Sequence, residues 1–238
     1  MNNKKIIVKK SSKKDSIEHF LVVPDVDPMI ISLVSKIDFS KLLEQEKNEL
    51  KKQMHLCKHK LQAMAYHKNR ISVLEKNYKK VLKSSIRQIR DKESIIVTEV
   101  PDIAFEFESF LFQTKAFLDI YSRLVGKHFK HTPSSIKKLK KILVNNKDVK
   151  SRILLKLLSK RWINYFISKD KFNISMRDIV AHYSKLNISP FGIIVINQKK
   201  RDTLLTTVGD KRIRDLISSI FKNSKKLLKK SILILLLE

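Results

Sequence analysis

Between Pro28 and Pro101 the chain carries neither proline nor glycine, and apolar side chains recur every three or four residues. Leu43, Leu50, Met54, Cys57, Leu61 and Met64 step by seven, four, three, four and three, and Ile71, Leu74, Tyr78 and Val81 continue the rhythm. The positions between them are mostly Lys, Glu, Gln and Asn, the pattern of a heptad-like helix with a single apolar seam. A continuous helix over this stretch would be about 80 Å long. Such a length predicts either a coiled-coil partner or a fold back near Tyr66–Asn69, packed on the C-terminal half.

The next stretch is patterned differently. Over Phe105–Lys127, Phe107, Phe110, Leu111, Phe117, Leu118, Tyr121 and Leu124 make one stripe, and Phe105, Phe112, Ala116 and Ile120 widen it. A helix apolar on most sides predicts a central core helix ended by Gly126. Its few polar residues, Glu108, Lys115, Asp119 and Ser122, share one face. Asp119 there needs a basic partner, expected from a neighbouring helix.

Downstream, Ser134 or Ser135 can cap a short helix in which Lys137, Lys138, Lys140 and Lys141 surround Ile136, Leu139, Ile142 and Leu143. These four lysines are candidate RNA contacts, although a solvated face would look the same. Ile153, Leu154, Leu157, Leu158, Trp162 and Phe166 predict an amphipathic helix over Ser151–Lys169. Ile193–Asn197 and Thr203–Val208 read as a small β-hairpin, followed by a basic amphipathic helix from about Asp210. Ser94–Pro101 reads as an apolar connector. Phe20–Val23 is a short strand or docked segment whose Asp25 and Asp27 are turn residues.

Together these elements predict a mainly α fold. It is a helical bundle with a long N-terminal helix or helical hairpin and a small β-hairpin before the C-terminal helix. Three segments follow from the pattern: 1–35, basic and partly mobile; 36–94, the long helix or hairpin; and 95–238, a helical domain.

Charge narrows the partners. Fifty-one Lys and Arg against 23 Asp and Glu give a net charge of +28, which favours a polyanion through counterion release from phosphates. Lysine dominates that count alongside abundant Ile and Asn, so part of the charge reflects compositional bias. A single cysteine, Cys57, excludes an internal disulfide and a cysteine-based zinc cluster. His55 and His59 lie one helical turn apart but lack a third ligand, so no metal is expected. The N-terminus leads into no long apolar segment, and the tail Ile232–Leu237 is too short to span a bilayer. A cytoplasmic protein without membrane association is the expectation.

One short stretch carries candidate chemistry: Ser175-Met-Arg177-Asp178-Ile-Val-Ala-His182-Tyr183. Ser175 with Asp178 three positions on forms a capping box, so a helix opens just before Arg177. Arg123 and His128 share the spacing of Arg177 and His182, but they straddle Gly126 and have leucine after the arginine. The Arg177 stretch, with the aromatic helix before it, resembles the active-site motif of the HEPN superfamily of α-helical, metal-independent RNA-cleaving toxins. The resemblance covers roughly residues 101–235.

It implies an endoribonuclease, toxin or antiphage effector in which Arg177 and His182 are catalytic and no cofactor is used. Asp178, Tyr183 and Asp119 would support them. The implied partners are RNA, a second copy of the chain, and a cognate antitoxin or inhibitor. RNA brings its own 2′-hydroxyl nucleophile; His182 would move its proton or protonate the leaving oxygen, and Arg177 would neutralise the phosphorane. On one ideal helix the two side chains lie about 140° apart, so a frayed helix start or a second subunit would be needed to bring them together. A subgroup of the family carries a modified tyrosine two residues after the histidine. Tyr183 is adjacent to His182, so that regulation is not implied. The competing readings are an ion pair between Arg177 and Asp119 with His182 quietly packed, and a non-catalytic RNA-binding or protein-interaction scaffold.

Overall fold

The computed structural model describes residues 6–8, 44–86, 93–167, 175–178, 188–196, 199–208 and 211–236. The fold is mainly helical, with a small sheet. In chain order the elements are β1 (Ile6–Val8), α1 (Glu44–Ile86), β2 (Glu93–Thr98), α2 (Pro101–His128), α3 (Ile136–Asn145) and α4 (Val149–Leu158). A 3₁₀ turn (Arg161–Phe166) and a single helical turn, α5 (Met176–Asp178), follow. Then come β3 (Phe191–Ile196), β4 (Lys199–Leu204), β5 (Thr207–Val208), β6 (Lys211–Arg212) and α6 (Ile213–Leu236).

Contacts divide the chain into two compact units, each discontinuous in sequence. One gathers 1–22, 67–108 and 186–218; the other gathers 23–66, 109–185 and 219–238.

The first unit holds the sheet. Strand order is β1-β2-β3-β4, with β1 parallel to β2 and the other pairs antiparallel. Ile6 pairs with Ile95, so the basic N-terminal segment contributes a strand instead of remaining mobile throughout. The expected connector at Ser94–Pro101 is in large part strand β2, where Ile95 and Ile96 face Ile194 and Ile193 across the ladder. A bounded run of β-branched residues needs only a partner strand to pair.

A tighter hairpin forms at the expected place, but Thr207 and Val208, expected in its second strand, pair instead with Arg212 and Lys211 in a separate two-stranded sheet. The hairpin's second strand opens at Lys199, four residues early, because the run Lys-Lys-Arg-Asp that resembled a loop forms the outermost strand. Phe20–Val23, with Asp25 and Asp27, lies outside the described residues.

In the same unit, α1 and α2 run antiparallel. His67 and Arg70 meet Glu106, while Tyr78, further along α1, donates to Asp102, earlier on α2, at 3.5 Å. α1 is one unbroken helix of 43 residues, about 65 Å long, without a fold back near Tyr66. Its seam buries Ile71 and Tyr78 but then passes through Leu82 and leaves Val81 53% exposed. A straight helix at 3.6 residues per turn drifts off a strict heptad, which moves the seam one position. The drift also places Glu75 inward, 9% exposed, where it accepts from the fully buried Thr206 Oγ1 at 3.3 Å. Burial holds the Glu75 carboxyl above the ordinary carboxylate range, opposed by that bond and by the charge of Arg214.

The second unit contains the main helical core. Met54, Cys57, Leu61 and Met64 of α1 are buried, as are Phe110, Leu111, Phe117, Leu118, Tyr121 and Leu124 of α2. Tyr121 is bonded to Ser231 of α6 at 2.6 Å, giving a buried hydroxyl the partner it requires. Two aromatic positions expected in the α2 stripe are instead open: Phe105, in the first unit, is 59% exposed and Phe112, in the second, 38%.

Gly126 does not end α2, which continues to His128 before Lys130 takes a left-handed φ of 56°. Its role is close approach. A β-carbon there would overlap the Pro133 ring and sit 2.9 Å from the His131 carbonyl oxygen. The helix expected over Ser151–Lys169 is two pieces. Asp148 caps α4 by accepting from the Ser151 amide, and Ser159 Oγ donates back to the Leu155 carbonyl at the other end. Such local side-chain bonds compete with helix continuation. Trp162 and Phe166 still meet edge to face at 6.5 Å on the 3₁₀ turn.

Candidate nucleic-acid interface

α3 is amphipathic in the simplest sense. Ile136, Leu139 and Leu143 are buried, and four lysines lie on the remaining surface with the exposed Val144 and Asn145. Ser135 opens it, its side chain accepting from the Lys138 amide at 3.4 Å. Ser135 is therefore the cap, from the pair the sequence offered.

Residues 137, 140, 141, 144 and 145 fall at intervals of three, one, three and one, which puts them on one face of the helix. That face lines a groove of about 450 Å³ with Lys137, Lys140, Lys141, Val144, Asn145, Asn164 and Ile167. Three of the four lysines read as RNA contacts thus converge there. Lys138 is exposed and does not line the groove.

The sequence reading missed Val144, Asn145, Asn164 and Ile167. The first two were visible in principle, since they continue the helical spacing of the lysines. Asn164 and Ile167 were hidden by the assumption of one continuous helix; the 3₁₀ turn is what brings them to α3.

The same 3₁₀ turn packs against α5, the helical turn that contains Arg177. Ser175, 2% exposed, accepts from the Asp178 amide at 3.1 Å, so this half of the capping box forms as read. Asp178 is half-buried beside it. Arg177 is placed in α5 by its backbone, while His182 and Tyr183 lie outside the described residues.

Asp119 has a different partner from the one expected. Both of its carboxylate oxygens accept from Lys115 Nζ, at 2.6 and 2.7 Å, one turn back on the same helix. No neighbouring helix is needed to neutralise it. The competing pair Arg123 and His128 is exposed near the end of α2, with the His128 ring edge-on to Phe129 at 5.1 Å. Partial burial of that ring holds His128 below its ordinary value, and the nearby Lys150 charge acts in the same direction.

No family model, curated protein or solved structure matches this chain. The chemistry of the site therefore rests on its own residues. Among the described residues, no group of three or more His, Cys, Asp or Glu could hold a metal ion. His55 and His59 are exposed, whereas His67 is bonded to Glu106 at 2.7 Å. Cys57 is fully buried, and burial pushes its thiol up to about 12, so it stays protonated and inert. Among the described residues, no helix is long and apolar enough to cross a membrane.

The groove gathers three lysines, two aliphatic side chains and two asparagine amides on one surface. Lysine brings an ammonium on a flexible stem, and each asparagine amide can both donate and accept.

Proposed function

We propose that this chain acts on RNA as a HEPN-type, metal-independent endoribonuclease, with Arg177 and His182 as its catalytic pair. The observation that carries the proposal is a shared support: the 3₁₀ turn Arg161–Phe166 contributes Asn164 to the lysine groove and packs against the turn bearing Arg177. A strand held by Lys137, Lys140 and Lys141 would then lie on the same unit as the motif. In this reading Asp178 orients a side chain across the cleft and Tyr183 lines it. A second copy of the chain completes the cleft, and a cognate inhibitor protein restrains it.

The test is incubation of the purified protein with total RNA in EDTA. Cleavage that persists and leaves 2′,3′-cyclic phosphate ends is expected, and is lost in Arg177→Ala and in His182→Ala. Arg123→Ala and His128→Ala should cleave as wild type. If the Arg123 pair proves essential and the Arg177 pair dispensable, the motif has been misassigned.

A second reading, a non-catalytic RNA-binding or protein-interaction scaffold, is favoured by Asp119. Its bidentate bond to Lys115 commits it to its own helix. Binding of RNA without any cleavage would select that reading.

A further inference from the structure

We infer that the groove between α3 and the 3₁₀ turn is a binding site for one nucleotide unit, separate from the Arg177 motif. For its strand form the inference rests on the RNA reading above; it adds where the base goes and which groups read it.

The groove's volume of about 450 Å³ lies within the range of about 300–1,000 Å³ typical of small-molecule sites. Its walls divide by chemistry. Lys137, Lys140 and Lys141 span a single turn of α3, a rise of about 6 Å, enough for one or two phosphates. Val144 and Ile167 add aliphatic carbon to the lining, and Asn145 and Asn164 add amides. A base packed on that carbon would have donors and acceptors for its edge in the same groove, and ammonium groups for its phosphate.

A duplex fits this surface poorly. Double-stranded RNA is gripped through phosphates and 2′-hydroxyls over roughly 16 base pairs, and α3 is only ten residues long. Duplex pairing would also occupy the base edges that the asparagines address. The aromatic residues of the neighbouring turn, Trp162 and Phe166, are buried and paired with each other, so the base rests on aliphatic carbon. The ligand chemistry is therefore an unpaired base carrying phosphate, supplied either by an RNA strand or by a free nucleotide.

Two probes separate the sources. The first is a fluorescent 2′-O-methyl oligonucleotide of 12 residues, which lacks the attacking hydroxyl and cannot be cleaved by 2′-oxygen attack. The second is adenosine 5′-diphosphate, followed by calorimetry. Wild type is expected to bind the single strand at least about tenfold more tightly than the matching duplex. Replacing Lys137, Lys140 and Lys141 together by Ala should weaken strand binding about tenfold and flatten the log K against log salt slope by about one, as the loss of one or two phosphate contacts requires. The double change Asn145→Ala and Asn164→Ala should weaken binding about fivefold and leave that slope unchanged, because amides release no counterions. All five positions are on the surface, and unchanged circular dichroism melts confirm that the variants are folded.

If the oligonucleotide binds and neither variant alters it, the groove inference is overturned while the RNA reading stands. If only adenosine 5′-diphosphate binds, and the lysine variant loses it, the groove stands as a free-nucleotide site and the RNA reading falls. Equal binding of strand and duplex overturns the assignment of the base to the groove. Binding of neither probe overturns both readings.

Discussion

α2 and α3 are both amphipathic, and they spend their polar residues in opposite ways. On α2, Lys115 bonds to Asp119, Thr114 to the Phe110 carbonyl and Ser122 to the Leu118 carbonyl, all one turn back or forward on the same helix. Tyr121 adds a bond to Ser231. These groups are used up holding a buried helix together, while Asp102 and Glu106 near its start bond to α1 instead. On α3 the buried face is purely apolar, and three of the four lysines line a groove. Polar residues satisfied within their own helix mark structure; polar residues gathered on a concave surface are where a ligand is sought.

The strongest way to break that contrast is to cut into α2. Phe117→Ala removes a fully buried ring and should cost about 3–5 kcal/mol, read by urea denaturation. A loss below about 1 kcal/mol would mean α2 is not the core helix described.

Next comes Gly126→Ala. The added methyl meets the Pro133 ring, so about 1–3 kcal/mol of destabilisation is expected, with the far-ultraviolet spectrum preserved.

Glu75→Gln should act in the other direction. Because burial raises the Glu75 carboxyl above its ordinary value of 4.5, its contribution favours folding below that pH and is lost as pH rises through the folded value. The glutamine variant keeps an acceptor for Thr206, so at pH 7 it should melt above wild type. The gap should close as pH falls below 4.5. A variant less stable than wild type at pH 7 would show that the charged carboxylate is favoured at this site.

The smallest effect belongs to α3. Lys137→Ala should change stability by less than about 0.5 kcal/mol. A large loss of stability there would make the lysine face structural and erase the contrast with α2.

Much of this was legible in the sequence. Apolar spacing located α1, α2, α3 and the final helix, because one-sided burial imposes a period that composition cannot hide. Ser135 and Ser175 announced two helix starts through capping chemistry. What stayed hidden depended on distant partners or on small energies. The seam shift from Val81 to Leu82 needs the helix geometry, and the exposure of Phe105 and Phe112 needs knowledge of what α2 packs against. Strand β2 needed Phe191–Ile196 to pair with. The groove was half legible: α3's lysines were visible, but Asn164 reaches them only because the chain breaks after Leu158. His182 and Tyr183 carry the motif and lie outside the described residues.

The order of strands in the small sheet has a consequence for how the chain is made. β2, with its run Ser94-Ile95-Ile96-Val97, pairs with β3 on the order of 90 residues later in the sequence. At roughly 5–20 residues per second of synthesis, that apolar strand waits about 5–20 seconds before its partner leaves the ribosome. The three residues of β1 can cover only one of its edges in the meantime. An unpaired Ile-rich strand is a template for intermolecular pairing, so newly made chains pass through a window in which they depend on dilution or a chaperone. Slower synthesis lengthens that window, and aggregation yield during expression should rise with it.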